Sequence, residues 1–297
     1  MEQLLEKDKQ SKLRELYDDT EFSDDFYGLS LNPGLTEQEI KEAQLFATMA
    51  HGVMLVTGRP GQGKDLFAHS FAYLIKRYFS NRKVFLDHKP KSLFGEYTPF
   101  TPDFLLREIK KMGQKADIDI ETDEEGNIQG SIEKQKKIAA RTEELIKNWL
   151  QDGSEGQVML QNGILVLGEL KRWCYNRNPH NPLNKFIGGL CSIWRHLDLL
   201  IIGITPQMHE IDQYTFLYYV THWADCSWSI TRPFTTDVKI RRGQYLDPSR
   251  GVFGVALKPI IFHVDGKKPR PFLGGKGFFD LYNSKNYTNL QPVLRRR

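Results

Sequence analysis

The chain has 297 residues, of which 40% are hydrophobic and 26% are charged, and its formal net charge is +4. These values are typical of a soluble globular protein, and a charge this small does not identify a nucleic-acid-binding protein. The apolar runs are shorter than the roughly 18 residues of a membrane span, and the charged N-terminus is unlike a signal peptide. Three widely separated cysteines show no metal-ligand spacing. We expect a cytoplasmic protein without membrane contact, located in the host cytoplasm if it is viral.

The start of the chain predicts an arm, a helix, a strand and a second helix. Residues 1–33 are polar and acidic, and we interpret them as an N-terminal arm. Thr36 and Glu39 have the spacing of a capping box and Gly52 suits a helix end, so the predicted helix covers about 37–51. The apolar strand "VMLVTG" follows, and "KDLFAHSFAYLIKRYF" has helical periodicity.

The middle of the chain alternates between strands and helices. "KVFLD" at 83–87 predicts a second strand, and "GILVLGEL", "LDLLIIGIT" and "CSWSITRP" predict three more. Nearly unbroken apolar strands that alternate with helices are typical of a mostly parallel sheet flanked by helices on both faces. We therefore assign an α/β domain to 34–235, with 115–135 as an exposed insertion or hairpin. Residues 236–297 predict a small β-rich C-terminal extension and a basic tail.

A phosphate-binding loop is the clearest motif. "GRPGQGKD" fits G-x-x-x-x-G-K between a strand and a helix, the context in which successive backbone N–H groups and a helix N-terminus bind phosphate. The alternative is a glycine-rich turn without a ligand. The residues predicted to bind ATP are Gly58, Arg59, Pro60, Gly61, Gln62, Gly63, Lys64, Asp65 and Leu66.

Two positions depart from the usual nucleotide-site pattern. Asp65 stands where Ser or Thr normally gives a hydroxyl to Mg²⁺, and "ILVLGEL" has Gly168 where an Asp is usual. Glu169 is retained as the candidate general base. We expect the two strand ends to be neighbours, so that Asp65 replaces the missing carboxylate as the Mg²⁺ ligand. On this hypothesis Asp65→Ser abolishes hydrolysis and added Gly168→Asp restores it. The competing interpretation is a protein that binds nucleotide without turnover.

Gln207 follows the apolar run "LLIIGITPQ". In open α/β sheets the carboxyl ends of parallel strands form the ligand-binding edge. An amide at that edge can contact both a terminal phosphate and its attacking water, so we predict that Gln207 senses the γ-phosphate. The alternative is a polar strand end that faces solvent.

The order of the phosphate loop, "ILVLGELKRWCYNRN" and "IWRHLDLLIIGITPQMHEID" resembles the additional-strand ATPases of the zonula occludens toxin-like and FtsK/HerA-like group, over about residues 50–235. The resemblance implies a ring oligomer that uses ATP and Mg²⁺ to move double-stranded DNA without reading its sequence. Viral genome packaging, with a capsid portal or vertex protein as a further partner, fits best. The alternatives are a filamentous-phage-type assembly ATPase, a nucleotide-gated scaffold that binds ATP without useful turnover, and a small-molecule kinase.

Arginines complete the predicted site. A ring motor uses an arginine from a neighbouring subunit to stabilise charge on the transferred phosphoryl group. Arg195 and Arg232 flank predicted strands and are the best candidates, with Arg59 as a third. "KIRRG" at 239–243 is the first choice for DNA backbone contact from a loop. For each of these residues an ordinary solvated surface position is the alternative.

Overall fold

The computed structural model describes residues 28–91, 94–123, 128–151, 153–177, 180–247, 252–255 and 259–281. Most of the predicted N-terminal arm and the end of the predicted basic tail lie outside these ranges. The helices are α1 Glu37–Ala47, α2 Lys64–Tyr78, α3 Pro102–Lys115, α4 Ile132–Trp149, α5 Glu155–Leu160 and α6 Pro182–Ile193. The strands are β1 Gly52–Thr57, β2 Lys83–Leu86, β3 Thr98–Pro99, β4 Gly163–Leu167, β5 Leu200–Ile204, β6 His222–Trp228, β7 Thr235–Asp247, β8 Val252–Val255 and β9 Ile260–Asp265.

Local sequence signals placed the first helix correctly but not its end. The Thr36 hydroxyl accepts from the Glu39 N–H, and the Glu39 carboxylate accepts from the Thr36 N–H, which is the predicted capping box. The helix stops at Ala47, about one turn before the predicted end at residue 51. The next N–H groups, of Met49 and Ala50, bond three residues back in a tighter turn.

The central sheet is mostly parallel, as predicted. Its strand order is β3-β2-β4-β5-β1-β6-β7-β8, and β9 also pairs with β7. The six strands from β3 to β6 run parallel, whereas β7 is antiparallel to β6, β8 and β9. Parallel strands bring their carboxyl ends to one edge, and this edge therefore carries the residues that follow each of these strands.

Helices cover both faces of the sheet because the parallel strands are apolar on both sides. Met54 and Val56 of β1 face a core that includes residues of α1 and α2. Val53 and Leu55, which alternate with them, face a second core that includes residues of α3, α4 and α6. All four side chains are fully buried. Complete burial of β1 fixes the start of the phosphate loop relative to both layers.

One strand separates the two strands that we expected to be neighbours. β5 pairs with β1 through Val56 and Ile204, and with β4 through Leu167 and Gly203. The expectation that the ends of β1 and β4 lie side by side is therefore wrong. Chain order alone does not fix the position of β5, because a long crossover can bring a later strand between two earlier ones.

The strands after residue 234 continue the same sheet. The predicted strand "CSWSITRP" is displaced, because β6 already begins at His222 and ends at Trp228. β7 then turns back along β6 with Trp228 opposite Thr236, and β9 covers the other side of β7. Within the described ranges, no helix is long and apolar enough to cross a membrane.

The segment after β9 folds back over α2. Phe272 stacks on Tyr73 with ring centroids 6.3 Å apart, and the Arg77 guanidinium lies 4.6 Å from the centre of the Phe272 ring. The Lys91 ammonium donates to the Phe279 carbonyl oxygen at 2.9 Å. The helix that carries the phosphate loop is thereby held from the side opposite the sheet.

Candidate phosphate-loop site

Glycine is required at several positions of the loop between β1 and α2. Gly58, Gly61 and Gly63 have φ angles of 144°, 80° and 78°, which favour glycine. A Cβ at Gly58 would lie 2.5 Å from the Cys226 carbonyl oxygen, and a Cβ at Gly63 would overlap the Thr236 side chain. The loop is thus packed directly against β6 and β7. Its glycine backbone forms the cradle that a phosphate group requires.

The Lys64 side chain bonds back to the start of this loop. Its Nζ donates to the carbonyl oxygens of Gly58 and Arg59 at 2.8 and 3.0 Å, and only 8% of the residue is exposed. Burial lowers the pKa of Lys64 below its ordinary value. Gly63, the N-cap of α2, has no side chain to satisfy the free N–H groups of the first turn. A helix N-terminus with a buried ammonium beside it is suited to an anion.

The other predicted loop residues differ in their exposure and in the atoms they could present to a ligand. Arg59 and Pro60 are exposed, and the Gln62 side-chain oxygen accepts from the Arg59 N–H at 2.9 Å. Leu66 is fully buried in the core, so it can contribute only its backbone to the site.

Asp65 is the second residue of α2 and is half-buried. Burial raises the pKa of its carboxyl group, while the nearby charges of Lys64 and His88 act in the opposite direction. A divalent cation would favour the charged carboxylate. Within the described part of the chain, no cluster of three or more histidine, cysteine or acidic side chains is arranged to hold a metal ion. Asp65 offers a hard carboxylate oxygen in the first turn of α2, and Mg²⁺ is usually held by phosphate and water oxygens with one or two carboxylates, so this side chain fits that ion.

Gly168 and Glu169 follow β4 at the same edge of the sheet. Glu169 is exposed, so its carboxylate is open to water. A Cβ at Gly168 would lie only 3.0 Å from His88 Nδ1 and 3.1 Å from Asp87 Oδ1. Placing a carboxylate at residue 168 in the otherwise unchanged chain would force it against Asp87. This crowding argues against the predicted rescue of Asp65→Ser by Gly168→Asp, which stays a prediction.

Asp87 was missed by the sequence analysis, although it ends the predicted strand "KVFLD". Its Oδ2 accepts from the Gly168 N–H at 2.8 Å and from the Trp173 indole N–H at 3.1 Å, and its Oδ1 lies 2.5 Å from His88 Nδ1. Burial alone would raise the pKa of Asp87, but the bonds from His88, Gly168 and Trp173 hold it below its ordinary value. The rule that pointed to Gln207, a polar residue at the end of an apolar strand, would also have found Asp87.

Two histidines connect Asp87 to the phosphate-loop helix. His88 Nε2 lies 2.6 Å from His69 Nε2, and His69 Nδ1 lies 2.7 Å from the Asp65 carbonyl oxygen. His69 is buried, and this burial lowers its pKa to about 3. A continuous chain of hydrogen bonds thus runs from the end of β2 to the first turn of α2.

Gln207 lies directly beyond the end of β5. The Thr205 N–H donates to the Val56 carbonyl oxygen, which continues the pairing with β1 by one residue. The buried Thr205 hydroxyl accepts from the Gln207 N–H at 3.2 Å and donates to the Gln207 carbonyl oxygen at 3.1 Å. This tight turn presents Gln207 as an exposed residue at the carboxyl edge.

The two principal arginine candidates lie at opposite edges of the sheet. Arg232 is exposed in the turn after β6, and β6 is parallel to β1, so Arg232 lies at the phosphate-loop edge. Arg195 is exposed before β5, at the amino-terminal edge, with its guanidinium 5.1 Å from the centre of the Trp194 ring.

The expected DNA-contacting loop is a strand. "KIRRG" lies within β7, where Lys239 is opposite Asp225 and Arg241 is opposite Trp223. The Arg241 guanidinium lies 4.8 Å from the centre of the Trp223 ring. Placing these residues on a loop was therefore wrong, because pairing with β6 turns the segment into regular sheet.

No protein-family model and no curated protein matches the chain. Similar solved structures include the N-terminal domain of zonular occludens toxin from Neisseria meningitidis, with 17% identity, a TM-score of 0.41, and coverage of 78% of this chain and 99% of that chain. The genome packaging NTPase B204 from Sulfolobus turreted icosahedral virus 2 has 11% identity, a TM-score of 0.36, and coverage of 70% and 98%. A KaiC-like protein from Pyrococcus horikoshii has 14% identity, a TM-score of 0.32, and coverage of 78% and 89%.

The fold is assigned from the chain itself. A glycine loop with a buried lysine joins β1 to α2, and β5 lies between β1 and the strand that ends in Gly168 and Glu169. This is the α/β fold of a P-loop NTPase with an additional strand.

Proposed function

We propose that the protein is an ATP-driven motor that forms a ring and moves double-stranded DNA, in the particular role of viral genome packaging. The observation that carries the ATPase part is the convergence of three strand ends. Lys64 follows β1, Gln207 follows β5 and Glu169 follows β4, and these three strands are consecutive in the sheet. Because β5 lies between β1 and β4, the Gln207 amide follows the strand between those that precede the phosphate loop and Glu169.

Each residue has a role that its environment allows. Lys64 would exchange its two carbonyl partners for phosphate oxygens, and the glycine backbone would supply further N–H donors. Glu169 is exposed and would accept the proton of the attacking water. Gln207 would orient that water or contact the terminal phosphate. Bound Mg²⁺ supplies neutralisation of phosphate charge, and Asp65 is the side chain that would help to hold it.

DNA movement and ring formation rest on the order of motifs that resembles the FtsK/HerA-like group. Arg232 is the better candidate to act on a neighbouring subunit, since it is exposed at the edge that carries the phosphate loop. The proposed DNA contact is to the phosphate backbone, which gives binding that depends strongly on salt and little on sequence. A capsid portal or vertex protein is the proposed further partner of the ring.

One observation favours a second candidate function, a nucleotide-gated scaffold without useful turnover. The position that usually carries an Asp at the end of β4 is Gly168, and the Asp65 carboxyl group has a raised pKa. A scaffold would bind ATP but release phosphate no faster when DNA is added. A filamentous-phage-type assembly ATPase would release phosphate without stimulation by double-stranded DNA.

The test compares phosphate release with and without double-stranded DNA for three proteins. We expect DNA to stimulate the unchanged protein. Lys64→Ala should lower kcat/KM by about 100-fold or more, as for the loss of one preorganised charged donor. Lys111→Ala, which removes an exposed lysine on α3, should behave like the unchanged protein.

A mass measurement of each protein with ATP reports the oligomer. Equal turnover of the unchanged protein and Lys64→Ala would refute an ATPase at this loop. Turnover that DNA does not change, together with a monomeric mass, would refute the motor.

A further inference from the structure

We propose that Asp87 supplies, from the end of β2, the acidic group that β4 lacks at Gly168, and that it acts through His88 and His69 to position Asp65. Asp87 is a positioning residue on this proposal, because it does not itself need to touch nucleotide. The inference rests on the proposed function insofar as Asp65 serves a bound nucleotide, whereas the placement of Asp87 can be tested without any ligand.

The first step is the space at residue 168. β2 and β4 are parallel with Leu86 opposite Val166, so continuing the register sets Asp87 and His88 beside the end of β4. The Asp87 carboxylate bonds to the Gly168 N–H itself at 2.8 Å. A side chain at residue 168 would crowd both that carboxylate and the His88 ring. Because glycine has no side chain, Gly168 leaves space for the acidic side chain of the neighbouring strand.

The second step is the rigidity of the carboxylate. Asp87 is 7% exposed, and the Trp173 indole that donates to it is 1% exposed. Trp173 in turn stacks on Phe100, with ring centroids 5.7 Å apart and planes inclined by 17°. A carboxylate with donors on both oxygens and a packed indole against it keeps one orientation.

The third step is the balance of hydrogens along the chain. The Asp65 carbonyl oxygen can only accept, so His69 Nδ1 carries a hydrogen and the Nε2 of the neutral ring accepts. His88 Nε2 is then the donor to His69, and His88 Nδ1 lies against the Asp87 carboxylate oxygen. His88 thus bridges Asp87 and His69, with one ring nitrogen towards each.

The consequence concerns Asp65. The carbonyl oxygen of Asp65 lies at the start of α2 and is tied through two rings to a fixed carboxylate on β2. The two unusual positions of the nucleotide motifs, Asp65 and Gly168, are thus linked by one network. The network fixes the backbone from which the Asp65 side chain extends, in the way that hydrogen-bonded neighbours help to position metal ligands.

The main experiment moves the carboxylate back to β4. Asp87→Ala should lower DNA-stimulated kcat by about 10- to 100-fold and raise the Mg²⁺ concentration for half-maximal rate, the range typical of residues that orient metal ligands. Adding Gly168→Asp should restore most of the rate, because the new carboxylate enters the vacated space. Asp87→Ala with Gly168→Asn is the matched control, which fills that space without charge and should not restore it.

Asp87→Asn separates charge from shape. Its side-chain oxygen can still accept from Gly168 and Trp173, so the fold should be retained, but its amide nitrogen would replace the carboxylate oxygen beside His88 Nδ1. We expect this variant to bind nucleotide and to lose kcat like Asp87→Ala. Normal kcat and normal Mg²⁺ dependence in Asp87→Asn would overturn the proposal, as would equal rates for the two double variants.

Two measurements without nucleotide keep the inference distinct from the proposed function. Gly168→Asp should destabilise the unchanged protein in urea but stabilise Asp87→Ala, so the two changes should be strongly non-additive. Nitrogen NMR of the imidazole rings should show His69 with its hydrogen on Nδ1 and His88 signals that change in Asp87→Asn. Additive stabilities, or His88 signals that are the same in Asp87→Asn and the unchanged protein, would overturn the placement of Asp87. If Lys64→Ala and the unchanged protein show equal turnover while these two results hold, the proposed function fails and the assignment of Asp87 stands.

Discussion

Replacing Gly63 by alanine tests the contact between β7 and the phosphate loop. The φ of 78° at Gly63 lies in the left-handed region, where a residue with a Cβ costs about 1–2 kcal/mol. The new Cβ would also overlap the Thr236 hydroxyl and lie 3.0 Å from its Cβ. Thr236 is completely buried, and overpacking of this kind costs roughly 1–3 kcal/mol. We therefore expect the free energy of unfolding to fall by about 2–5 kcal/mol.

Urea unfolding of the unchanged protein, Gly63→Ala, Thr236→Ala and the double variant separates the cost of the backbone conformation from the cost of overpacking. Thr236→Ala removes the hydroxyl that meets the new Cβ, and that hydroxyl has no hydrogen-bond partner among the described residues. In the Gly63→Ala background it should restore roughly 1–3 kcal/mol. Gly34→Ala is the matched control, because its φ of 82° is similar and the described part of the chain places nothing within 4 Å of its Cβ.

The control should lose only the conformational contribution of about 1–2 kcal/mol. If Gly63→Ala and Thr236→Ala add within about 0.5 kcal/mol, the two residues are not in contact and the packing of β7 against the loop is refuted. A Gly63→Ala protein no less stable than Gly34→Ala would lead to the same conclusion.

Two further predictions concern pH and the neighbouring subunit. His222 is buried, and burial, followed by the charge of Arg242, lowers its pKa from 6.5 to about 4. The folded protein therefore keeps His222 neutral while the unfolded chain binds a proton, so stability should fall as the pH drops from 6.5 towards 4, by roughly 3 kcal/mol in total. In urea unfolding at several pH values, His222→Gln should reduce this pH dependence, whereas His209→Gln, at an exposed position, should not. Identical stability profiles for His222→Gln and the unchanged protein would refute the lowered pKa of His222. Subunits with Arg232→Ala should regain activity when they are mixed with Lys64→Ala subunits, because each variant supplies the residue that the other lacks. If Arg195→Ala subunits are complemented instead, Arg195 is the arginine that acts on the neighbouring subunit.

Short-range signals in the sequence determined the elements that need only neighbouring residues. The capping box at Thr36, the spacing of Gly58, Gly63 and Lys64, and the turn at Thr205 all operate within about one helical turn of chain. Such features depend on local backbone geometry, which residue type controls directly. The same kind of signal failed at "KIRRG", because pairing with β6 decided the structure of that segment.

The position of Asp87 illustrates what local patterns leave undetermined. Asp87 and Gly168 are 81 residues apart and meet only because β2 and β4 are paired. From the sequence, the missing acid at Gly168 could be assigned only to the nearest unusual acid in the motifs, Asp65. The structure shows a second acid in the space itself, and it also shows that β5 separates the two strands we had expected to be adjacent.

The sequence by itself determined that a phosphate loop follows a buried strand and that polar residues end the other apolar runs. Only the tertiary structure decided which of those strand ends are neighbours and which acid faces Gly168. The physical reason is that periodicity and turn chemistry act along the chain, whereas strand order depends on side-by-side hydrogen bonding and on packing in two cores that many distant residues share.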